Sequence, residues 1–181
     1  KCILTKKDHK TGTDRIFEAY QELKDNNIDY VINLQGDEPM LDIKDVNNLL
    51  KNTIEKKSKI STLACQIEDE KFFLNKNIVK VTTKEELDQN NLSIATSFTR
   101  EIKNTQKNIY HHIGIYIYNV SYLEKFVQLE QTQNEKSQKL EQLRLMDNNI
   151  EIDVGLAKTK PIGVDTDEDY LEIKKIMEYK N

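Results

Sequence analysis

Two acidic segments stand where an α/β protein would bind a phosphate. The apolar run Tyr30-Val31-Ile32-Asn33-Leu34 leads into Gln35-Gly36-Asp37-Glu38-Pro39, and a second acid lies in Gly163-Val164-Asp165-Thr166-Asp167. Open α/β sheets bind ligands at the carboxyl ends of their strands. Mg²⁺ takes one or two carboxylates and completes its shell with water and substrate phosphate oxygens. Asp37 and Asp165 are therefore a candidate magnesium pair if the fold brings them together, and Gly36 lets a ligand approach the backbone. The same residues suit plain structural work. Asp37 can cap a helix, Thr166 with Asp169 can form a capping box, and Asp165 can favour the helix dipole.

Three further clusters carry polar chemistry. His9-Lys10-Thr11-Gly12-Thr13-Asp14-Arg15 gathers hydroxyls, a glycine and an arginine at a helix N-terminus, which favours anions and polar rings and equally describes a capped helix with a surface ion pair. In Tyr110–Tyr118 the strand period of two puts Ile113, Ile115 and Ile117 on one face. His112, Gly114, Tyr116 and Tyr118 then share the other, a shallow polar floor with room for a sugar. A strand histidine is also a common structural residue. In Leu140-Glu141-Gln142-Leu143-Arg144, a helical stretch, Glu141 and Gln142 suit hydroxyls, while Glu141 and Arg144 at i and i+3 suit a solvated ion pair. Arg100, after Phe98-Thr99, suits a carboxylate held bidentately.

The elements that must position these residues follow from periodicity. Thr13 opens a helix with Ile16, Tyr20 and Leu23 at helical spacing and a stop at Asn26-Asn27. A buried strand at Tyr30–Leu34 precedes an amphipathic helix with Ile43, Val46, Leu50 and Ile54 on one face. Strands at Ile60–Ile67 and Ile78–Thr82 flank a short helix near Phe72-Phe73. This alternation predicts an α/β domain with a largely parallel sheet. Then come β-rich stretches at Ile94–Thr99 and Ile109–Tyr118, helices at Tyr122–Leu129 and Lys136–Met146, a strand at Ile150–Leu156 and a helix at Asp167–Tyr179.

Composition bounds the rest. The 181 residues are 37% hydrophobic and 32% charged, with a mean hydropathy of −0.71. No apolar run approaches the ~18 positions of a membrane helix, so no membrane insertion is expected. Net charge −4 argues against a nucleic-acid partner. Cys2 and Cys65 match no metal or disulfide spacing, and no leader-like segment opens the chain, so a cytoplasmic protein is expected. The chain begins at Lys1 inside a strand-like run, which suggests an N-terminal truncation. Only three arginines occur, Arg15, Arg100 and Arg144, among 27 basic residues, and each is a candidate for chemistry that lysine cannot perform.

The ordered run HKTGTDR, QGDEP, NIVKV, FTR, HIGIY, EQLR and GVDTDED resembles the 3-deoxy-manno-octulosonate (Kdo) cytidylyltransferases, or CMP-Kdo synthetases, from Lys1 to the end of the chain. The resemblance implies a GT-A-like, Rossmann-related nucleotidyltransferase fold with its first βαβ elements missing. It implies a remainder of the nucleotide-binding half over 1–91, a β-rich sugar-binding and dimerisation lobe over 92–149, and a closing strand and helix over 150–181. The implied reaction couples CTP to Kdo, giving CMP-Kdo and pyrophosphate for lipopolysaccharide synthesis, in a cytoplasmic, Mg²⁺-dependent homodimer. By motif, Asp37 and Asp165 match the magnesium acids, and these with Arg100 are the catalytic candidates. Thr11, Gly12, Thr13, Arg15 and Gln35 match the cytidine-facing stretch. Arg100, His112, Tyr116, Glu141 and Gln142 match the Kdo pocket.

The chain also departs from the family. No Gly-rich basic loop supplies the triphosphate cradle, so the chain alone is expected to be inactive or nearly so. Glu101-Ile102-Lys103-Asn104 replaces a Pro-containing stretch, and His111 stands where arginine is common. The alternatives are a cytidylyltransferase for 8-amino-Kdo or a sialate, and a non-catalytic relic or dimerising subunit.

Overall fold

The structure, a computed structural model, describes residues 2–25, 27–36, 38–67, 71–102, 107–160, 163–164 and 166–179, the side chains of 169 and 179 excepted. The first helix, α1 (Gly12–Leu23), is started by a capping box. Thr11 accepts from Asp14 N–H (3.3 Å), and Asp14 accepts from Thr11 N–H (3.0 Å). It stops at Lys24, which turns left-handed (φ 53°), earlier than the asparagines suggest. Strand β1 (Tyr30–Asn33) and helix α2 (Ile43–Lys56) follow, then β2 (Ile60–Cys65), α3 (Lys71–Leu74), β3 (Lys80–Thr83), β4 (Ser93–Thr99) and β5 (Ile109–Asn119). The chain closes with α4 (Val120–Gln128), α5 (Gln133–Gln138), α6 (Leu143–Asp147), β6 (Asp153–Leu156) and α7 (Asp167–Tyr179).

The sheet is mixed, with strand order β1-β5-β2-β6-β4-β3. The expectation of a largely parallel sheet fails because β5 inserts antiparallel between β1 and β2. Only β2 and β6 pair in parallel among the described strands. Alternation of strands and helices reports which segments are strands, whereas a long strand arriving later in the chain decides their neighbours. The free edge of β5 is shared, Tyr116–Asn119 pairing with β1 and Ile109–His111 with β3. Strand β3 pairs with β4, and β4 returns to β6, so β2, β5, β3, β4 and β6 form a closed circuit.

Two apolar clusters cover the two faces. Ile113, Ile115 and Ile117 pack with Val46 and Leu49 of α2, while Tyr110, Tyr116 and Tyr118 face Leu123, Phe126, Leu140 and Leu145. The strand alternation read for β5 holds. The face read for α2 does not, since Ile43 and Ile54 are exposed and the buried residues are Asp45, Val46, Leu49, Asn52 and Thr53. The polar members of that face are bonded. Thr53 shares a hydrogen bond with Ser61 (2.5 Å), and Asp45 accepts from Lys158 N–H and Thr159 N–H (3.0 Å each). At Gly155 a Cβ would lie 2.8 Å from Leu49 Cδ1, so glycine lets α2 approach β6.

The helix expected over Lys136–Met146 is two short helices, because Lys139 is left-handed (φ 53°) and Leu140–Gln142 form a turn between them. Their join is a buried ion pair. Arg144 donates to Glu135 from Nε (2.9 Å) and Nη2 (2.6 Å) and lies over the Phe126 ring at 4.3 Å. Burial would raise the Glu135 carboxyl, but the Arg144 hydrogen bonds and charge hold it below the usual range. Glu135→Gln would leave a guanidinium buried without its counter-charge. We expect that variant to lose about 3–5 kcal/mol of stability in urea unfolding, and a loss under 1 kcal/mol would count against the pair as the anchor of α5 and α6.

Candidate functional site

Beside the β5 floor lies a cavity of about 870 Å³. His112, Gly114, Tyr116 and Tyr118 form its base. Thr13 of α1, Gln35 and Glu38 after β1, Arg100 after β4 and Lys139–Gln142 between α5 and α6 form its walls. Phe72, Asn75 and Asn77 border it from α3 and the turn that follows, and Lys160, Gly163, Thr166 and Glu172 from the C-terminal segment.

The floor depends on a bulge. Thr62 of β2 pairs with Tyr116, yet Leu63 pairs with Ile113, so Gly114 and Ile115 have no partner on β2. Thr62 Oγ1, fully buried, donates to Ile115 O (2.6 Å) and lies 3.0 Å from His112 Nε2. With the hydroxyl proton committed to the carbonyl, His112 Nε2–H is the donor, and Nδ1 is the ring's acceptor. The ring lies edge-on to Phe98 (5.1 Å) and beside Tyr116 (5.5 Å). The buried Tyr116 hydroxyl makes no hydrogen bond of good geometry among the described residues, though the Thr62 hydroxyl lies near it. Burial pushes its pKa, and that of Tyr118, well above the ordinary phenol value, so both stay protonated.

One side of the cavity is acidic and tightly bonded. Glu141 accepts from Gly12 N–H (3.1 Å) and from the Thr13 hydroxyl, which also lies 3.3 Å from Tyr118 Oη. Burial raises the Glu141 carboxyl despite these bonds. The Glu141–Arg144 surface pair considered above is absent, since Arg144 is given to Glu135. Another side is cationic. Arg100 donates from Nη1 to Lys76 O (3.2 Å) and Asn77 O (3.1 Å), and Lys160 and Lys139 also line the cavity. His111, stacked on Phe72 at 6.5 Å, is lowered to about 4 by burial and then by the charges of Lys80 and Lys160. His112 is lowered to about 3, mainly by burial.

Of the residues singled out from sequence, Thr13, Gln35, Arg100, His112, Tyr116, Glu141 and Gln142 meet at this one cavity. Gly12 touches it through its bond to Glu141. Thr11 is occupied in the α1 cap. Arg15 is exposed and donates to Thr5 Oγ1 (2.6 Å) and Lys6 O (2.8 Å), tying the preceding segment to α1. Asp37 and Asp165 lie outside the described residues. Gln35 and Glu38, around Asp37, and Gly163 and Thr166, around Asp165, line the same cavity. No cluster of three potential metal-ligating residues occurs among the described residues. Sequence reasoning missed Thr62 and Lys80. Nothing in the local pattern marks Thr62, while Lys80 is signalled by a lysine inside the strand-like Ile78-Val79-Lys80-Val81-Thr82.

The profile of the cytidylyltransferase family matches residues 1–152. The chain is 42% identical over 183 aligned positions to a 3-deoxy-manno-octulosonate cytidylyltransferase of Thermodesulfovibrio yellowstonii, covering 93% of this chain and 70% of that one. It is 38% identical to the protein of that name from Bartonella henselae, covering 97% and 72%. Among solved structures, a CMP:2-keto-3-deoxy-manno-octonic acid synthetase complexed with CTP superposes with a TM-score of 0.84 at 31% identity, covering 99% of this chain and 73% of that one. An apo UDP-glucose pyrophosphorylase, at 14% identity and a TM-score of 0.66 over 96% and 62%, shares the fold alone.

The two lowered histidines set a pH dependence. Below the ordinary histidine pKa the unfolded chain binds protons that folded His111 and His112 refuse, so stability falls as pH drops from about 6.5 toward 3. Urea midpoints measured from pH 7 to 4 are expected to fall, and His111→Phe to flatten the slope. An unchanged slope in that variant would remove His111 from the account.

Proposed function

The chain belongs to the cytidylyltransferase family, among the 3-deoxy-manno-octulosonate cytidylyltransferases, and from that membership we propose that its cavity binds Kdo beside CTP for transfer of the cytidylyl group. The products are CMP-Kdo and pyrophosphate. The observation that carries this reading is the convergence of Arg100, His112, Tyr116, Glu141 and Gln142, from three separate segments, on one cavity.

Each group has a task suited to a sugar acid. Arg100 attracts the carboxylate. Two of its nitrogens are engaged with carbonyls, which leaves Nη2 as the donor with no hydrogen bond among the described residues. His112 Nδ1 accepts from a sugar hydroxyl, and the Tyr116 hydroxyl, with no hydrogen bond of good geometry among the described residues, donates or accepts at the floor. Gln142 offers an amide, and Glu141, held by α1, accepts from hydroxyls. Gly114 leaves space on the floor, since a Cβ built there meets nothing within 4 Å. The anomeric hydroxyl then attacks the α-phosphorus in line, and pyrophosphate leaves.

Magnesium fits the donor chemistry here. The segments on both sides of Asp37 and Asp165 border the cavity, and carboxylates are the hard oxygen ligands that Mg²⁺ prefers. Asp37 and Asp165 would hold it, and when bound it gathers charge on the phosphate oxygens. By resemblance the working unit is a cytoplasmic homodimer joined through 92–149. Among the described residues no helix is long and apolar enough to cross a membrane.

Calorimetric titration tests the sugar site without requiring turnover. Kdo is expected to bind, and Arg100→Ala to weaken it about 10- to 100-fold, as loss of a charge-assisted hydrogen bond does. Equal affinity for an octulose lacking the carboxylate would refute the assignment. Chelation by EDTA is expected to weaken CTP binding more than Kdo binding in the same experiment, and CTP affinity indifferent to the chelator would argue against magnesium at the paired acids.

A further inference from the structure

Three consecutive carbonyls, those of Asn75, Lys76 and Asn77, face two cations at the cavity wall. Lys80 Nζ donates to Asn75 O (2.5 Å) and to Arg100 O (2.9 Å), while Arg100 Nη1 takes Lys76 O and Asn77 O. Lys80 is 1% exposed, and its backbone pairs with Thr99 on one side and His111 on the other. A buried ammonium costs free energy that an aliphatic side chain of similar length would not. What the ammonium supplies instead is a cross-link between the turn after α3 and the backbone at the end of β4. A second tie runs outside it, from Lys76 Nζ to Glu101 (2.6 Å), but that pair is exposed and correspondingly weak.

We propose that Lys80 is a positioning residue for the sugar acid: its two bonds hold the 75–77 turn against Arg100, and the turn's carbonyls fix the guanidinium so that Nη2 faces the cavity. The inference rests on Arg100 as the carboxylate-binding group. Lys80 itself touches carbonyls only, so its influence on the sugar passes through Arg100. Two linked losses would follow its removal. The turn would be free to shift, and with it the acceptors of Arg100 Nη1.

A double-mutant cycle tests this. Lys80→Met is expected to weaken Kdo binding about tenfold in calorimetry while leaving CTP affinity unchanged. In an Arg100→Ala background it is expected to cause no further loss, because a residue acting through another has nothing left to act on. Kdo affinity unchanged in Lys80→Met, or losses that add, would overturn the proposal. Lys80→Gln, which keeps one donor, replaces Lys80→Met if the latter does not fold, with a smaller loss expected. A second readout needs no sugar. The three arginines give three Nε–H signals in ¹⁵N NMR, and removing the Lys80 ammonium is expected to shift or broaden that of Arg100 alone, with Arg15 and Arg144 as internal references. If the parent chain takes up no Kdo, or Arg100→Ala binds it undiminished, the sugar-acid assignment fails. The Arg100 signal then decides the role of Lys80, and an unmoved signal overturns it.

Discussion

Strand β5 carries the site because one hydroxyl holds its bulge open. Two residues of β5 are skipped in its pairing with β2, and the Thr62 side chain bridges the gap by bonding the Ile115 carbonyl and the His112 ring. A skip of a single residue would exchange the faces of β5 relative to β2 beyond the bulge and carry His112 away from the cavity. The bulge skips two residues, so the alternation survives it. Ile113, Ile115 and Ile117 stay against α2 while His112, Tyr116 and Tyr118 stay at the cavity. The strand thus widens the sheet locally, makes room over Gly114, and keeps one apolar face throughout.

The site is built from polar groups wholly or partly taken out of water, and three of them are each bonded by a different element. Glu141 is reached by the first turn of α1, His112 by β2, and Arg100 by the turn after α3. Such groups are costly to bury and cost more when left unbonded, so partners from distant parts of the chain lock one arrangement. The same logic runs outside the cavity. Arg144 and Glu135 are nearly inaccessible, and their paired hydrogen bonds fix the α5–α6 join that sets Glu141 and Gln142 at the wall. Preorganisation of this kind aims donors before substrate arrives.

What could be read from the sequence was local. A capped helix start within 9–15, the β5 alternation and the polar floor follow from spacing, and the structure has all three, with Thr11 and Asp14 as the capping pair. The mixed pairing of the sheet could not be read, because the antiparallel partner of β1 and β2 lies some eighty residues further on for one and fifty for the other. The face of α2 was misplaced because its buried side is partly polar, and apolar spacing is blind to Asp45, Asn52 and Thr53 once they are bonded. Scarcity of arginine pointed to three residues for chemistry. Only Arg100 reaches the cavity, whereas Arg15 ties a surface segment and Arg144 sits in an ion pair. A guanidinium is as hard to replace in a buried pair as in a ligand site, so residue type alone cannot separate the two roles.

On the proposed reading, charge on the cavity wall gives the sugar acid a direction. Arg100 and Lys160 line the cavity with Lys80 buried behind Arg100, while Glu141, held by the start of α1, and Glu38, after β1, line it elsewhere. In a partly desolvated site two unit charges about 4 Å apart interact by roughly 4 kcal/mol at an effective dielectric constant near 20. A carboxylate turned toward Glu141 would meet repulsion of that order, and turned toward Arg100 it meets attraction. The neutral groups between them, His112 and Tyr116, contribute no such preference and can serve hydroxyls in whatever order the sugar presents them. Under that proposal orientation is set by the ions lining the cavity, and the floor need only be polar and spacious enough to receive the ring. That division explains why the floor can be assembled on one strand, where alternation supplies it, while the charged walls must be brought in by separate elements.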